Sequence, residues 1–253
     1  MFIDTHTHLY AEEFNADRTH IIKKAITSGV KKMYLPNIDS TSIDGMLQLE
    51  KEFPENCFAM MGLHPCSVNE NVESELKLVE EWLGKRKFCA VGEIGIDLYW
   101  DKTFFEQQKM AFKKQIDWAL KYELPIVIHC RDAFDEIFDV LVSYNNLPKG
   151  IFHCFSGNLE QANKIISLNK FKLGIGGVVT FKNSGLDKVV EQIDMSHLVL
   201  ETDSPYLAPA PFRGKRNESG YLVMIAEKVA ALKNLSIAEV AEVTSNNADK
   251  IFS

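Results

Sequence analysis

The sequence lacks the features that mark secreted, disulfide-stabilised and membrane proteins. Its 253 residues include only five cysteines, an odd number with no Cys-x-x-Cys pair, which argues against a disulfide framework and a structural zinc site. No stretch approaches the ~20 consecutive apolar residues of a membrane span. The chain does not open with a basic segment followed by an apolar run. We therefore expect a cytoplasmic protein without a signal peptide or membrane contact.

An excess of positive charge is also missing. The formal net charge is −7, whereas proteins that coat nucleic acid through phosphate contacts usually carry a basic footprint. Any nucleic acid must therefore bind at a local site, such as the basic cluster formed by Arg213, Lys215 and Arg216. Charge alone favours a solvated loop for this cluster. Nothing indicates a coiled coil or an obligate protein partner, so we expect a monomer.

What the sequence does contain is a repeated alternation of strand and helix patterns. Short apolar runs typical of buried parallel strands begin near Phe2, Lys31, Cys57, Phe88, Pro125, Gly150, Lys172 and Leu198. Each interval leaves room for a crossover helix, and the segments at 103–106 and 236–239 have the form of capping boxes. Eight such units favour an α/β protein with a single (β/α)8 TIM barrel over residues 1–253. An open doubly wound sheet is the alternative, because counting units does not prove closure.

Ionisable residues cluster where the predicted strands end. Five of the seven histidines and two acidic residues fall at these ends: His6, His8, His64, Glu93, His129, His153 and Asp203. In a closed barrel the carboxyl ends of the strands surround the active site. His6 and His8 are two residues apart, so both imidazoles project to one face of an extended segment and could chelate one ion.

The chemistry of this set indicates a catalytic metal centre. Nitrogen and oxygen donors without a thiolate suit Zn²⁺, Mn²⁺ or Mg²⁺. Six candidates (all but His64) are too many for a single catalytic ion with an open position, and two divalent ions that share a carboxylate fit better. If these six residues were instead ordinary polar residues of the core, each would need its own hydrogen-bonding partner in a confined space. Cys130 and Cys154 each follow an inward histidine, so we expect them to point outward and to have no catalytic role.

Four further residues are candidates for substrate binding. His64 could contact a substrate phosphate or simply cap the strand before Pro65. Arg131 could clamp a phosphate or form a structural ion pair with a nearby carboxylate. Arg213 and Arg216 lie in a long connection after the eighth strand, where they could form a substrate wall. Asp4 lies one pleat deeper than the histidine pair and is expected to support a ligand.

Six motifs, taken in order, resemble a known family: FIDTHTHL at 2–9, GLHP at 62–65, GEIGID at 92–97, IHCRD at 128–132, HCFSG at 153–157 and ETDSPYL at 201–207. With RGKRNE at 213–218, they make the sequence similar to the TatD family of metal-dependent deoxyribonucleases. The match runs from Phe2 to Glu218. One departure is Ser219, where the family commonly has proline, and this change leaves the metal set intact.

The resemblance implies a TIM barrel that holds two divalent ions. It assigns His6, His8 and Asp203 to one ion, His129 and His153 to the other, and Glu93 as the bridge. Asp203 would also orient the attacking water and receive its proton. DNA as the substrate and exonucleolytic cleavage are expectations from this resemblance.

Other functions have to be weighed beside a deoxyribonuclease. Amidohydrolases cleave C–N bonds of small molecules on a similar barrel, but often bridge their metals with a carboxylated lysine on the fourth strand, where this chain has Glu93. An esterase that acts on aminoacyl-tRNA could use the same site. A non-enzymatic nucleic-acid-binding scaffold is disfavoured because all six candidate ligands are present.

Overall fold

Eight short parallel strands form the centre of the computed structural model, which describes residues 1–253. The strands are β1 (Phe2–Asp4), β2 (Val30–Leu35), β3 (Cys57–Ala59), β4 (Val91–Asp97), β5 (Ile126–Arg131), β6 (Gly150–Phe152), β7 (Phe171–Ile175) and β8 (Leu198–Leu200). All eight predicted strands are present. The largest displacement is at β4, which begins at Val91 rather than near Phe88.

Helices follow the strands along the chain. They are α1 (Arg18–Thr27), α2 (Ile43–Glu52), α3 (Val72–Lys85), α4 (Phe105–Lys121), α5 (Phe134–Val142), α6 (Leu159–Ser167), α7 (Leu186–Gln192), α8 (Leu222–Lys233) and α9 (Ile237–Phe252). None of them combines the length and the apolar composition that crossing a bilayer requires.

Hydrogen bonds continue around the whole ring of strands. β1–β2–β3 and β4–β5–β6–β7–β8 pair in chain order as two parallel runs. A parallel bridge between Met61 and Val91 joins the third strand to the fourth. At the other seam, the Thr5 amide donates to the Leu200 carbonyl at 3.1 Å. The predicted (β/α)8 barrel is confirmed, and the open sheet is excluded.

Two apolar layers stabilise this arrangement. The larger one packs the outer faces of the strands against the helices and includes Phe14, Phe112 and Phe152. The smaller one joins inward residues of the strands at the amino-terminal end of the barrel, among them Val127, Ile151 and Val199, and contacts Ile251 of α9. We call this smaller cluster the barrel floor. Because the floor is apolar, the polar residues are confined to the opposite end of the strands.

The two predicted capping boxes had different outcomes. Ser236 and Glu239 form one at the start of α9. The prediction at 103–106 was wrong: α4 begins one residue later than expected, after Phe104, with no side-chain cap. The carboxylate of Asp101 accepts a hydrogen bond from the Thr103 amide at 2.8 Å. This local turn holds Thr103 outside the helix, as short aspartate side chains often do.

Candidate metal centre

The carboxyl ends of five strands bring the six predicted ligands into one buried cluster. Three groups have donor atoms within 4.8 Å of one another: His6, His8 and Asp203; His6, Glu93 and His153; and His64, Glu93 and His129. Glu93 and His129 lie within β4 and β5. The other four predicted ligands lie within four residues of the ends of β1, β6 and β8. Their closeness depends on barrel closure, since β1 and β8 meet only at the seam.

Glu93 lies at the centre of this cluster, and its two carboxylate oxygens face different histidines. Oε2 lies 3.1 Å from His6 Nε2 and 3.8 Å from His8 Nε2. Oε1 lies 2.7 Å from His129 Nδ1 and 3.2 Å from His153 Nε2. Burial opposes ionisation, but His153, His64 and His6 outweigh it and hold the pKa of Glu93 well below its usual range. Glu93 is therefore a carboxylate with one oxygen for each of two sets of nitrogens.

The first set consists of His6, His8 and Asp203. The two Nε2 atoms are 3.3 Å apart, and Asp203 Oδ1 lies 3.8 Å from His6 Nε2 and 3.5 Å from His8 Nε2. His8 Nδ1 is 2.8 Å from the hydroxyl of Tyr10, which donates to the Pro36 carbonyl. Tyr10 thus accepts from His8, and this hydrogen bond directs His8 Nε2 toward the cluster.

The second set, His129 and His153, is supported by two carboxylates behind the rings. Asp97 Oδ2 lies 2.8 Å from His129 Nε2, and Glu201 Oε1 lies 3.1 Å from His153 Nδ1. A carboxylate on the far nitrogen of an imidazole sets its orientation and raises its basicity as a ligand. Burial opposes protonation of His153, but Glu93, Glu201 and Asp203 outweigh it and raise its pKa well above the usual value.

Sequence reasoning overlooked Asp97 and Glu201 as members of the site. Burial opposes ionisation of Asp97, yet hydrogen bonds from His129 and the Trp100 and Tyr99 amides lower its pKa to about 2. The signal that could have found them is the two-residue period of an extended chain. Asp97 lies two such steps after Glu93, and Glu201 lies one step before Asp203.

Space for the Glu201 carboxylate comes from a glycine on the neighbouring strand. A Cβ atom at Gly174 would lie 2.1 Å from Glu201 Oε2. Any side chain at this position would therefore force the carboxylate away from His153.

Asp4 stabilises the seam between β1 and β8. Its carboxylate accepts hydrogen bonds from the Thr202 amide at 2.9 Å and the Thr202 hydroxyl at 2.6 Å. Burial raises the pKa of Asp4 to about 7.

His64 joins the cluster and also caps a short helical turn. Its Nε2 lies 3.3 Å from Glu93 Oε1 and 3.3 Å from His129 Nδ1. Its Nδ1 accepts from the Cys66 amide at 3.0 Å. His64 thus caps the turn Pro65–Ser67 rather than a strand, and its contact with a substrate phosphate stays a prediction. Burial, with a contribution from His129, lowers the pKa of His64.

The three candidate arginines occupy different surroundings. Arg131 and Arg213 form no ion pair; their guanidinium carbons lie 3.8 Å from the Tyr99 ring centre and 4.5 Å from the Phe181 ring centre. Arg216 instead makes two hydrogen bonds to the Asp17 carboxylate, at 2.9 and 2.7 Å. The pair anchors the 213–216 loop to the start of α1. Its donors are engaged within the protein, unlike those of the other two arginines.

The two cysteines next to ligand histidines differ from each other. Cys130 packs against the outer apolar layer, as predicted. Cys154 adopts a left-handed φ of 46°, so the strand alternation on which its outward orientation was predicted does not extend to it. Both cysteines border a cavity of about 240 Å³ that His129, Arg131, His153 and Asp203 also line. The alternation of β6 therefore ends at His153, where the chain turns.

The donor set fits divalent cations better than a purely hydrogen-bonded network. The His6 and His153 rings stack with centres 3.6 Å apart, and the buried Nδ1 of His6 has no hydrogen-bond partner. Nε2 of His6 faces another imidazole nitrogen and two carboxylates. A cation would satisfy several converging lone pairs at once, and imidazole with carboxylate suits Zn²⁺ or Mn²⁺.

A closed barrel whose strand ends carry buried histidines and carboxylates defines a metal-dependent hydrolase. Comparison with known proteins narrows this class. The sequence model of the family described as TatD related DNase matches residues 3–253. The chain belongs to this family.

Individual relatives match over almost their entire lengths. An uncharacterised metal-dependent hydrolase from Bacillus subtilis, YabD, is 37% identical, covering 100% of this chain and 99% of the relative. The crystal structure of YjjV, a TatD homologue from Escherichia coli, superposes with a TM-score of 0.93 at 30% identity, covering 99% and 97%. A relative from Yersinia pseudotuberculosis, named a 3'-5' ssDNA/RNA exonuclease, is 29% identical and covers 98% of each chain.

Proposed function

We propose that this protein is a divalent-metal-dependent deoxyribonuclease that removes nucleotides from the end of a DNA strand. The observation that carries the proposal is the position of Glu93, whose two oxygens each face a separate set of imidazoles. A shared carboxylate between two donor sets is typical of centres that hold two ions, and such centres favour phosphate ester hydrolysis. Residues 1–253 would form one catalytic domain.

The proposed ligands divide into two sets around Glu93. His6, His8 and Asp203 would hold one ion, and His129 and His153 the other. When bound, the ions would neutralise charge on the phosphate and lower the pKa of water to supply a nucleophile. Zn²⁺ or Mn²⁺ suits the imidazoles best, and Mg²⁺ is a third candidate.

The protein's own groups would orient the substrate and move the proton. Asp203 would accept a proton from the attacking water. Burial opposes its ionisation, but His153 and the hydrogen bond from His8 outweigh it and lower the pKa of Asp203. Asp203 is therefore ionised and can act as a base. Arg131 and Arg213, which have no acidic partner, would bind phosphate oxygens, and His64 would contact the scissile phosphate.

A substrate screen tests this proposal. Metal-depleted protein would be incubated with end-labelled single-stranded DNA, duplex DNA, RNA and a dihydropyrimidine amide, with Zn²⁺, Mn²⁺, Mg²⁺ or EDTA. We expect stepwise shortening of single-stranded DNA from one end, abolished by EDTA and restored by a divalent ion. The Yersinia relative is named for 3'-5' polarity, which is therefore the direction to test first. Cleavage of the amide without DNA cleavage would instead support an amidohydrolase, and tight DNA binding without any cleavage would support a scaffold.

A further inference from the structure

Two consecutive aromatic side chains project into solvent beside the metal centre. Tyr99 is 52% exposed and Trp100 is 70% exposed, although both are large and apolar. They lie in the connection that follows β4, with ring centres 4.9 Å apart and ring planes perpendicular. Exposed aromatic neighbours cost hydrophobic free energy and commonly mark a binding surface. Neither side chain belongs to the proposed ligand set.

The backbone of this pair is attached to a residue of the metal centre. One oxygen of Asp97 accepts hydrogen bonds from the Tyr99 amide at 3.0 Å and the Trp100 amide at 3.2 Å. The other oxygen lies 2.8 Å from His129 Nε2. A single buried carboxylate therefore contacts both a candidate ligand and the backbone of the two aromatic residues.

Arg131 connects the aromatic pair to the cavity. Its guanidinium carbon lies 3.8 Å from the Tyr99 ring centre and 5.3 Å from the Trp100 ring centre. It also borders the cavity lined by His129, His153 and Asp203. Because the guanidinium lies over the Tyr99 ring and has no acidic partner, its N–H groups stay available for an anion.

We propose that Tyr99, Trp100 and Arg131 form a platform that stacks a nucleobase next to the scissile phosphate. This inference rests on the proposed nuclease function and deepens it. An aromatic face accepts any base, and the arginine edge suits the accompanying phosphate. A base can reach such a platform only when it is unstacked from its neighbours. The platform would therefore select single strands and frayed ends.

A protein partner is the competing explanation for exposed aromatic residues. The nucleobase is favoured because the platform adjoins the metal centre and carries a cation with a free N–H edge. Exposed aromatic rings beside a guanidinium are also the combination used to bind single-stranded nucleic acid without sequence preference.

Tryptophan emission provides a test that does not require turnover. Trp118 is only 5% exposed, and Trp82 lies on α3 with intermediate exposure, so Trp100 is the tryptophan open to a ligand. Metal-free protein in EDTA would be titrated with oligothymidylate and with an abasic oligomer of the same length. We expect quenching by oligothymidylate only, and its loss in Trp100→Phe. Unchanged emission at saturation, or the same quenching in the variant, would overturn the platform.

Kinetics with a matched pair of variants provides the second test. Trp100→Leu removes the aromatic face but keeps an apolar side chain, whereas Trp100→Phe keeps a ring. Wild-type protein should prefer a normal terminal nucleotide over an abasic one by roughly 5-fold to 150-fold in kcat/KM, the range expected for one stacked base. We expect Trp100→Leu to lose most of this preference and Trp100→Phe to retain it. Equal preference in all three proteins would contradict the platform.

The two tests separate failure of the platform from failure of the nuclease proposal. If metal-loaded protein cleaves no oligonucleotide, the nuclease function fails, and the emission titration decides on the platform alone. If cleavage is efficient but the variants keep the wild-type preference, the nuclease function stands and the platform is rejected.

Discussion

The barrel floor and the candidate metal centre occupy the same strands one pleat apart, yet they are opposite in character. Val127 precedes His129 by two residues, Ile151 precedes His153, and Val199 precedes Glu201. Each pair spans about 7 Å along an extended chain, with both side chains on one face. Over that distance the lining changes from apolar side chains to buried ionisable groups. The floor contributes stability by packing apolar side chains. The candidate metal centre instead holds ionisable groups whose burial costs stability but whose chemistry can serve function.

Glu93→Gln should have the largest effect, and it should affect the candidate metal centre without affecting the barrel floor. The amide keeps the shape of the side chain but removes the charge that both histidine sets face, so we expect activity to fall by about 10³-fold or more. Metal content should fall as well, while thermal stability should not decrease. Metal analysis, initial rates and thermal unfolding would measure these effects. Glu191→Gln, on the exposed surface of α7, is the matched control, and a Glu93 variant with normal metal content and rate would contradict the shared-carboxylate role.

Ile151→Ala should lower stability without lowering metal content. Ile151 is fully buried in the floor, and truncating a buried isoleucine typically costs about 2–5 kcal/mol of unfolding free energy. We expect denaturant unfolding to show this loss, while the folded variant keeps its metal content. Loss of metal from folded Ile151→Ala would show that the barrel floor and the candidate metal centre are not independent.

Gly174→Ala tests the support behind one histidine set. The added methyl group would collide with the Glu201 carboxylate, and loss of such support typically lowers metal affinity by about 10-fold to 100-fold. Gly176→Ala is the control, because its nearest contact would be an ordinary 3.8 Å. Competition with a metal-binding dye would measure both affinities. Equal affinities in the two variants would show that Glu201 does not contribute to metal binding.

Arg216→Ala should have the smallest effect. Its guanidinium is paired with Asp17, and exposed pairs contribute little because solvent and salt screen them. We expect KM to rise by no more than a few-fold and the melting temperature to drop slightly, less so at high salt. Arg213→Ala should raise KM more, because Arg213 has no acidic partner. A larger increase in KM for Arg216→Ala than for Arg213→Ala would instead indicate that Arg216 binds the substrate.

Much of this architecture could be predicted from local pattern. Apolar runs located all eight strands, because a strand buried on both faces leaves a continuous hydrophobic segment. The family motifs identified the histidines and carboxylates of the cluster. The capping box at 103–106 failed because two local signals competed there, and the turn at Asp101 prevailed over the helix start.

Contacts between distant segments were beyond such reasoning. The ion pair between Arg216 and Asp17 joins residues far apart in the chain, and nothing in the loop composition distinguishes Arg216 from Arg213. The outward direction expected for Cys154 rested on a pattern that does not reach this residue. The strand period holds only while the backbone stays extended, and the left-handed turn at this residue ends it.

The sequence by itself determined the element order and the candidate ligand residues, because each depends on spacing and residue type within one segment. Only the tertiary structure decided which of the candidate arginines has an acidic partner. It also brought Asp97 and Glu201 behind their histidines. These relations depend on barrel closure, which converts distances along the chain into contacts of a few ångströms across the seam.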